Sequence, residues 1–375
     1  MGLSRIAFTN LRNISSLKLD TSARLLLFHG NNGSGKSSLL EGVYLLGRGA
    51  SFRTKELDYA VSHLSDEMVC FGEAVNEDAG KSFRIGVSRQ KTGKLTRVRI
   101  NGESARTLSE LAAALPILIV TPDTFGFING GPGERRRFVD WGVFHVEHQF
   151  KVVWQNWRKL LLQRNKLLKS GNISRSELSA WDNQYVAYSD EISRYRDAYF
   201  AELKEILIES LKESSEQTKD IGDKLTITLS NGWYQNDVSH MEQLVSSVES
   251  DVKKGFTTLG PHRADIKVKV GGVHAKEVLS RGQQKTLITH LYLSQLEILR
   301  RRTNQRPIVL IDDVGAELDT GNQVTLLTRM LEKGAQVFVT VLDKQQSEYL
   351  FGHFNQEYDT QMFHVEQGAV TKVHN

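Results

Sequence analysis

Gly30-Asn-Asn-Gly-Ser-Gly-Lys-Ser37 fits the pattern G-x-x-x-x-G-K-[ST]. The chemistry of such a run is phosphate binding. Gly30, Gly33 and Gly35 let successive backbone N–H groups turn inward and form an anion nest at a helix start. Lys36 brings a point charge for the β- and γ-phosphates of a nucleoside triphosphate, and Ser37 a hydroxyl for Mg2+. Asn31, Asn32, Ser34 and Ser38 complete the residues expected to touch the nucleotide. A second element, Ile308-Val-Leu-Ile-Asp-Asp313, is an apolar run ending in two acids. Asp312 is placed to hold Mg2+ beside Ser37. Asp313, the expected catalytic partner of Lys36, is placed to polarise an attacking water. An Asp pair after a strand also serves as a helix cap.

A third element, Leu279-Ser-Arg-Gly-Gln-Gln-Lys285, opens a helix expected near 282–302. Ser280, Gly282 and Gln283 sit where free N–H groups and the positive helix end meet a phosphate. The chain already supplies one nest, so this one completes a site on a second copy. Taken alone it also reads as an ordinary Ser N-cap.

These groups need a frame. Residues 25–28 read as a buried strand and 37–46 as a helix, the strand–loop–helix context that phosphate binding requires. Ile6 and Phe8 alternate with polar positions, as do Leu17 and Leu19, and suggest edge strands. Strands recur at 69–75, 83–88 and 95–100, with Asn101-Gly102 as a turn. From about 134 to 215 apolar residues recur at helical spacing, with Ser170-Gly-Asn172 as a break. Its aromatics read as core rather than a base-stacking face. Each helix has at most about 40 residues and spans at most about 60 Å.

The chain has 375 residues, more than one core usually serves. No apolar run reaches about 18 residues, so no membrane-spanning helix is expected. The first residues lack the apolar stretch of a signal peptide. Cys70 is the only cysteine, which excludes an internal disulfide and a cysteine metal site, and suits a reducing, cytoplasmic setting. The net charge of +4 is compatible with a nucleic-acid partner without implying one. Arg135-Arg-Arg137 reads equally as a phosphate contact or a salt-bridged face. His145 and His148 lack a third ligand and read as structural rather than as a metal site.

Together these elements resemble the ABC-type ATPase head: Walker A at 30–37, signature at 279–285, Walker B at 308–312 and D-loop at Leu318-Asp319. That implies an α/β fold, with a mixed-sheet head of residues 1–125 and 220–375 and a helical lobe at 126–219, inserted between Walker A and the signature. About 240 residues separate Ser37 from Leu279. This is too many for a compact transporter cassette and too few for a long coiled coil.

Over nearly its whole length the sequence resembles the RecF family of bacterial recombination and gap-repair proteins. The resemblance rests on Ser51-Phe-Arg-Thr54, Thr121-Pro-Asp123, Gly130-Gly-Pro-Gly-Glu-Arg-Arg-Arg-Phe-Val-Asp140, Gly260-Pro-His-Arg-Ala-Asp265 and Asp312-Asp-Val-Gly-Ala-Glu-Leu-Asp319, beside the signature. It implies ATP and Mg2+ as cofactors and an ATP-dependent homodimer. It further implies slow, DNA-stimulated ATP hydrolysis at single-strand/double-strand junctions. The implied setting is replication, recombination and the SOS response to DNA damage, with RecO and RecR as partners in loading recombinase. Asp313, where transporters carry Glu, and Thr340, near the place of a switch His, both suit slow turnover. Two other readings stand beside this one. A non-hydrolysing, ATP-gated DNA scaffold is separated from it by ATP turnover. A transporter-type cassette is disfavoured by the central insertion.

Overall fold

The computed structural model describes residues 2–76, 81–92, 95–105, 107–170, 175–234 and 237–373. Chain contacts divide it into two units, Met1–Thr124 with Leu299–Asn375, and Phe125–Ile298.

In the first unit, uncharged apolar runs become parallel strands. The order across the sheet is Ala369–Lys372, Thr360–Glu366, Leu25–His29, Gln336–Val341, Ile308–Ile311 and Ile117–Val120. All pairs are parallel except the outermost hairpin. Leu25–His29 and Ile308–Ile311 are buried along their whole length, as parallel strands covered on both faces must be. The phosphate-loop strand and the acid-ending strand therefore flank Gln336–Val341, and their C-terminal ends open on the same edge. Ligands of open parallel sheets bind at that edge.

A second sheet is antiparallel, in the order Ile14–Asp20, Gly2–Leu11, Glu67–Asn76, Lys81–Gln90, Leu95–Ile100, Glu103–Ser104. Its alternation buries Leu3, Ile6, Phe8, Cys70, Ile85 and Val87 in one core with Leu39, Leu40, Val43 and Leu46 of helix Lys36–Arg48. The approach is close. A Cβ at Gly42 would lie 2.5 Å from the Phe8 ring. Gly2–Leu11 is not an edge strand, because it pairs on both sides. Period-two alternation reports one covered face and says nothing about lateral neighbours. Asn101 and Gly102 both have positive φ (53° and 86°), as the expected hairpin turn demands. Cys70 is buried and its thiol is pushed upward by burial, so it acts as a small apolar core residue.

The second unit contains helices Pro132–Val146, Phe150–Ser170, Arg175–Ser214 and Glu216–Lys224, with a three-stranded sheet of Leu225–Ser230, Asp265–Val270 and Val273–His274. Trp157, Tyr185, Tyr195, Tyr199 and Leu203 lie in its core, so these aromatics serve packing. Of the expected break, residues 171 and 172 lie outside the described residues. The unit runs to Ile298, well past the boundary expected at 219. The strands Leu225–Ser230 and Asp265–Val270 belong to this unit and not to the head: Ile227, Ile266 and Val268 pack with the helices in one core. No described helix is long and apolar enough to cross a membrane.

A buried polar network ties the segment 255–264 into this unit. Arg164, fully buried, donates to Asp182 (2.9 Å), Asp251 (2.8 Å) and Thr257 (2.8 Å). Tyr185 Oη donates to the Leu259 carbonyl and Arg196 to that of Pro261. His262 Nε2 donates to the Thr257 carbonyl at 2.9 Å, while its buried Nδ1 has no hydrogen-bond partner. Burial pushes the ring's pKa down to about 4, opposed by the bond to Thr257. A histidine depressed in this way contributes stability above its unfolded pKa near 6.5, which is lost as pH falls toward 4, because the unfolded chain takes the proton first. We expect a loss on the order of 2–3 kcal/mol across that window. All five tryptophans lie in this unit, so fluorescence-monitored denaturation reads it directly. His262→Gln should flatten the pH slope between 6.5 and 4.5; an unchanged slope would refute the assignment.

Candidate nucleotide-binding site

Strand Leu25–His29 leads into the loop, and helix Lys36–Arg48 leaves it. Two glycines are required here for different reasons. Gly30 passes so close to the neighbouring strand that a Cβ would lie 2.2 Å from the Val365 carbonyl oxygen. Gly35, the residue before the helix, has φ 119°. Asn13 Nδ2 donates to the Ser34 carbonyl (3.2 Å), and Gly368 N–H to the same carbonyl (2.7 Å), holding the loop from outside.

Lys36 Nζ donates to the carbonyls of Gly30 (2.6 Å) and Asn31 (3.0 Å). Burial lowers its pKa, while Asp313 and Asp312 pull it back up. Ser37 Oγ donates to Asp312 Oδ1 at 3.0 Å, across 275 residues of sequence. Thr340, on the strand between, donates to the same oxygen (2.8 Å) and accepts the Asp313 N–H (2.7 Å). Asp313 takes a left-handed backbone conformation, φ 52° and ψ 60°. Such a conformation is uncommon outside glycine and more readily adopted by Asp than most residues.

A cleft of about 640 Å³ opens over these groups, lined by Asn32, Gly33, Ser34, Gly35, Lys36, Ser37 and Ser38 together with Asp312, Asp313 and Thr340. This size suits a nucleotide. Ser34 Oγ is buried without a hydrogen-bond partner, as fits a hydroxyl beside a bound anion. Among the described residues no group of three or more His, Cys, Asp or Glu side chains cages a metal. The Ser37 and Asp312 oxygens instead form the hard, two-ligand set that Mg2+ uses when phosphates and water supply the rest.

Sequence reasoning passed over a buried carboxylate next to this cleft. Glu41 is fully buried on the helix that follows the loop. Arg12, at a left-handed turn (φ 53°), meets it through two bonds of 2.8 Å. Ser51 Oγ also donates to Glu41, and Arg53 lies 3.6 Å away. Arg12 and Arg53 both line the cleft, so Glu41 holds two cations at its mouth. Glu41 lies off the face formed by Leu39, Leu40, Val43 and Leu46, so the apolar spacing carried no signal for its burial.

Ser280, Gly282 and Gln283 lie in the second unit, at the start of helix Arg281–Thr303. Ser280 Oγ accepts the Gln283 N–H (3.3 Å), and Gln283 Oε1 accepts the Ser280 N–H (2.9 Å). This reciprocal cap uses two of the four unsatisfied N–H groups of a helix start and leaves those of Arg281 and Gly282. Ser280, Arg281 and Gly282 are exposed. Arg135, by contrast, is bound bidentately to Asp265 (2.6 and 3.2 Å) and to two carbonyls, and Arg136 donates to the Ala264 carbonyl. Both hold the fold together. Arg137, exposed beside Glu134, alone of the three faces solvent. His145 is buried against Trp141 and Phe144.

Residues 2–368 match the family of RecF/RecN/SMC N-terminal domains. The chain is 99% identical, over the full length of both, to the DNA replication and repair protein RecF of Hahella chejuensis. It is 38% identical to that of Stutzerimonas stutzeri, covering 100% of this chain and 98% of the relative. A solved structure of the recombination mediator protein RecF with ATPrS, in the RecFOR pathway, superposes with a TM-score of 0.85 at 27% identity, covering 99% of this chain and 98% of that one. With the loop, the acid pair and the sheet order all in place, the chain belongs to the RecF family of DNA replication and repair proteins, built on an ABC-type ATPase head.

Proposed function

We propose that the chain binds ATP with Mg2+ in the cleft and pairs with a second copy around the nucleotide. The pair then grips DNA at single-strand/double-strand junctions in the cytoplasm and hydrolyses ATP slowly. RecO and RecR are its partners in loading recombinase. The observation that carries the nucleotide reading is the 3.0 Å bond between Ser37 and Asp312, which joins the two motifs at one sheet edge. Bound Mg2+ supplies charge neutralisation for the phosphates, held by Ser37 and Asp312. Lys36 transfers its hydrogen bonds from the loop carbonyls to the phosphates. Thr340 fixes the Asp313 backbone, and the Asp313 carboxylate orients the attacking water. The exposed start of helix Arg281–Thr303 faces the nucleotide of the partner copy.

The DNA part of this reading is tested by binding with and without ATP. One copy carries a net charge of only +4, so affinity must come from bringing two surfaces together. We expect ATP-dependent binding to unrelated duplexes alike. Log affinity should fall with log salt by roughly 0.9 per phosphate neutralised. Arg137→Ala should lower that slope by about one if its guanidinium touches phosphate. Arg135 is no test of DNA contact, because its loss would leave Asp265 unpaired. Equal affinity with and without ATP would contradict dimer-dependent binding.

A further inference from the structure

The outward face of the antiparallel sheet carries a groove that the nucleotide site does not use. Its register aligns Lys18, Ala7, Phe71, Gly86 and Arg99 in one row across five strands. The alternating residues Ile6, Phe8, Cys70, Ile85 and Val87 are buried, so this row faces out. Phe71 and Arg99 thus stand two strands apart, about 9.6 Å at the usual spacing, with only Gly86 between. A Cβ at Gly86 would meet nothing within 4 Å, so the glycine leaves an open slot. Glycine inside a strand marks a bulge, a bend or a close approach of a ligand or another backbone, and the register through Gly86 is unbroken on both sides. The slot belongs to a groove of about 480 Å³, also lined by Arg84 and Asn101. Arg84, Arg97 and Arg99 are exposed, and Ser88 pairs Arg97 into the next row. Arg84 lies 3.3 Å from Glu73 in a solvent-exposed pair, which is weak and exchangeable.

We propose that this slot receives one unpaired base of single-stranded DNA. The base stacks on Phe71 with Arg99 on its other side, and Arg84 and Arg97 contact the flanking phosphates. Two van der Waals contacts of 3.5–4 Å fill roughly 7–8 Å, which fits a single planar ring between the two side chains. A sheet face with an aromatic and a cationic rim is a known physical solution for single strands. Bases inside a duplex are stacked on each other and do not reach the slot. The inference rests on the DNA-repair reading and names where an unpaired strand is held.

The test uses the full chain with a labelled single strand, a duplex of equal length and an abasic single strand. Gly86→Val fills the slot with a residue that suits a strand and whose Cβ meets nothing within 4 Å. It and Phe71→Ala should each lower single-strand affinity at least about fivefold, the lower end for one lost base stack. Duplex and ATP affinities should stay within about twofold of the parent. The parent should bind the abasic strand about as weakly as Gly86→Val binds the normal one. Parental single-strand affinity in folded Gly86→Val overturns the proposal, as does equal parental affinity for abasic and normal strands. Binding of oligoglutamate that depends on Gly86, with single-strand affinity unchanged, overturns it in favour of an acidic protein. A parent that binds neither DNA form sinks the DNA reading itself, and the slot with it.

Discussion

Lys36→Met should lower ATP affinity by about 100-fold or more and leave the fold intact. The ammonium is the only side-chain cation placed inside the loop, and its bonds to Gly30 and Asn31 show that it reaches the nest. Hydrogen bonds to a charged group contribute roughly 1.5–3 kcal/mol each, and two orders of magnitude in affinity is about 2.7 kcal/mol. Methionine keeps the length of the stem and removes the charge. The two carbonyls that lose a donor lie beside solvent-facing Asn31 and Asn32, so the loop loosens without exposing core. Calorimetric titration with ATP, together with an unchanged circular dichroism spectrum, reads both halves. Parental affinity in a folded variant would remove Lys36 from the site.

The two neighbouring acids should behave differently. Asp312 accepts hydrogen bonds from both Ser37 and Thr340, so Asp312→Asn should weaken Mg2+-dependent ATP binding by about tenfold or more. Asp313 has its backbone N–H fixed by Thr340 and acts on Lys36 through its charge. Asn tolerates its left-handed backbone, so Asp313→Asn introduces no new strain. ATP affinity should stay within about twofold, while hydrolysis falls by at least about 100-fold, the usual lower range for losing a positioned base. ATP should then trap the paired state. Hydrolysis at the parental rate in Asp313→Asn would assign the water to another group.

The nucleotide motifs were legible because their chemistry is local: a nest needs its glycines in a row, and a buried strand ending in Asp needs only its own residues. Long-range partners were not. Arg135 reads equally as a phosphate contact or a salt-bridged residue until Asp265, 130 positions away, is found against it. Glu41 lies beside the apolar stripe of its helix rather than on it, and its partner Arg12 lies 29 residues earlier in a turn. Ser280 caps its helix, and the start of that helix stays exposed. The unit boundary was misplaced because strand texture does not say which sheet a strand joins. Ile227 and Ile266 joined helices rather than the head.

The central proposal, two copies closing around ATP with the signature helix acting on the partner, is met most directly by light scattering of the parent and Ser280→Arg. The parent should have the 42.3 kDa mass of one chain without nucleotide or with ADP, and twice that with ATP. Ser280→Arg, whose long cation crowds the exposed helix start, should bind ATP as the parent does and stay at the mass of one chain. A parent whose mass ignores ATP, or a Ser280→Arg variant that loses ATP binding as a monomer, would contradict the paired site.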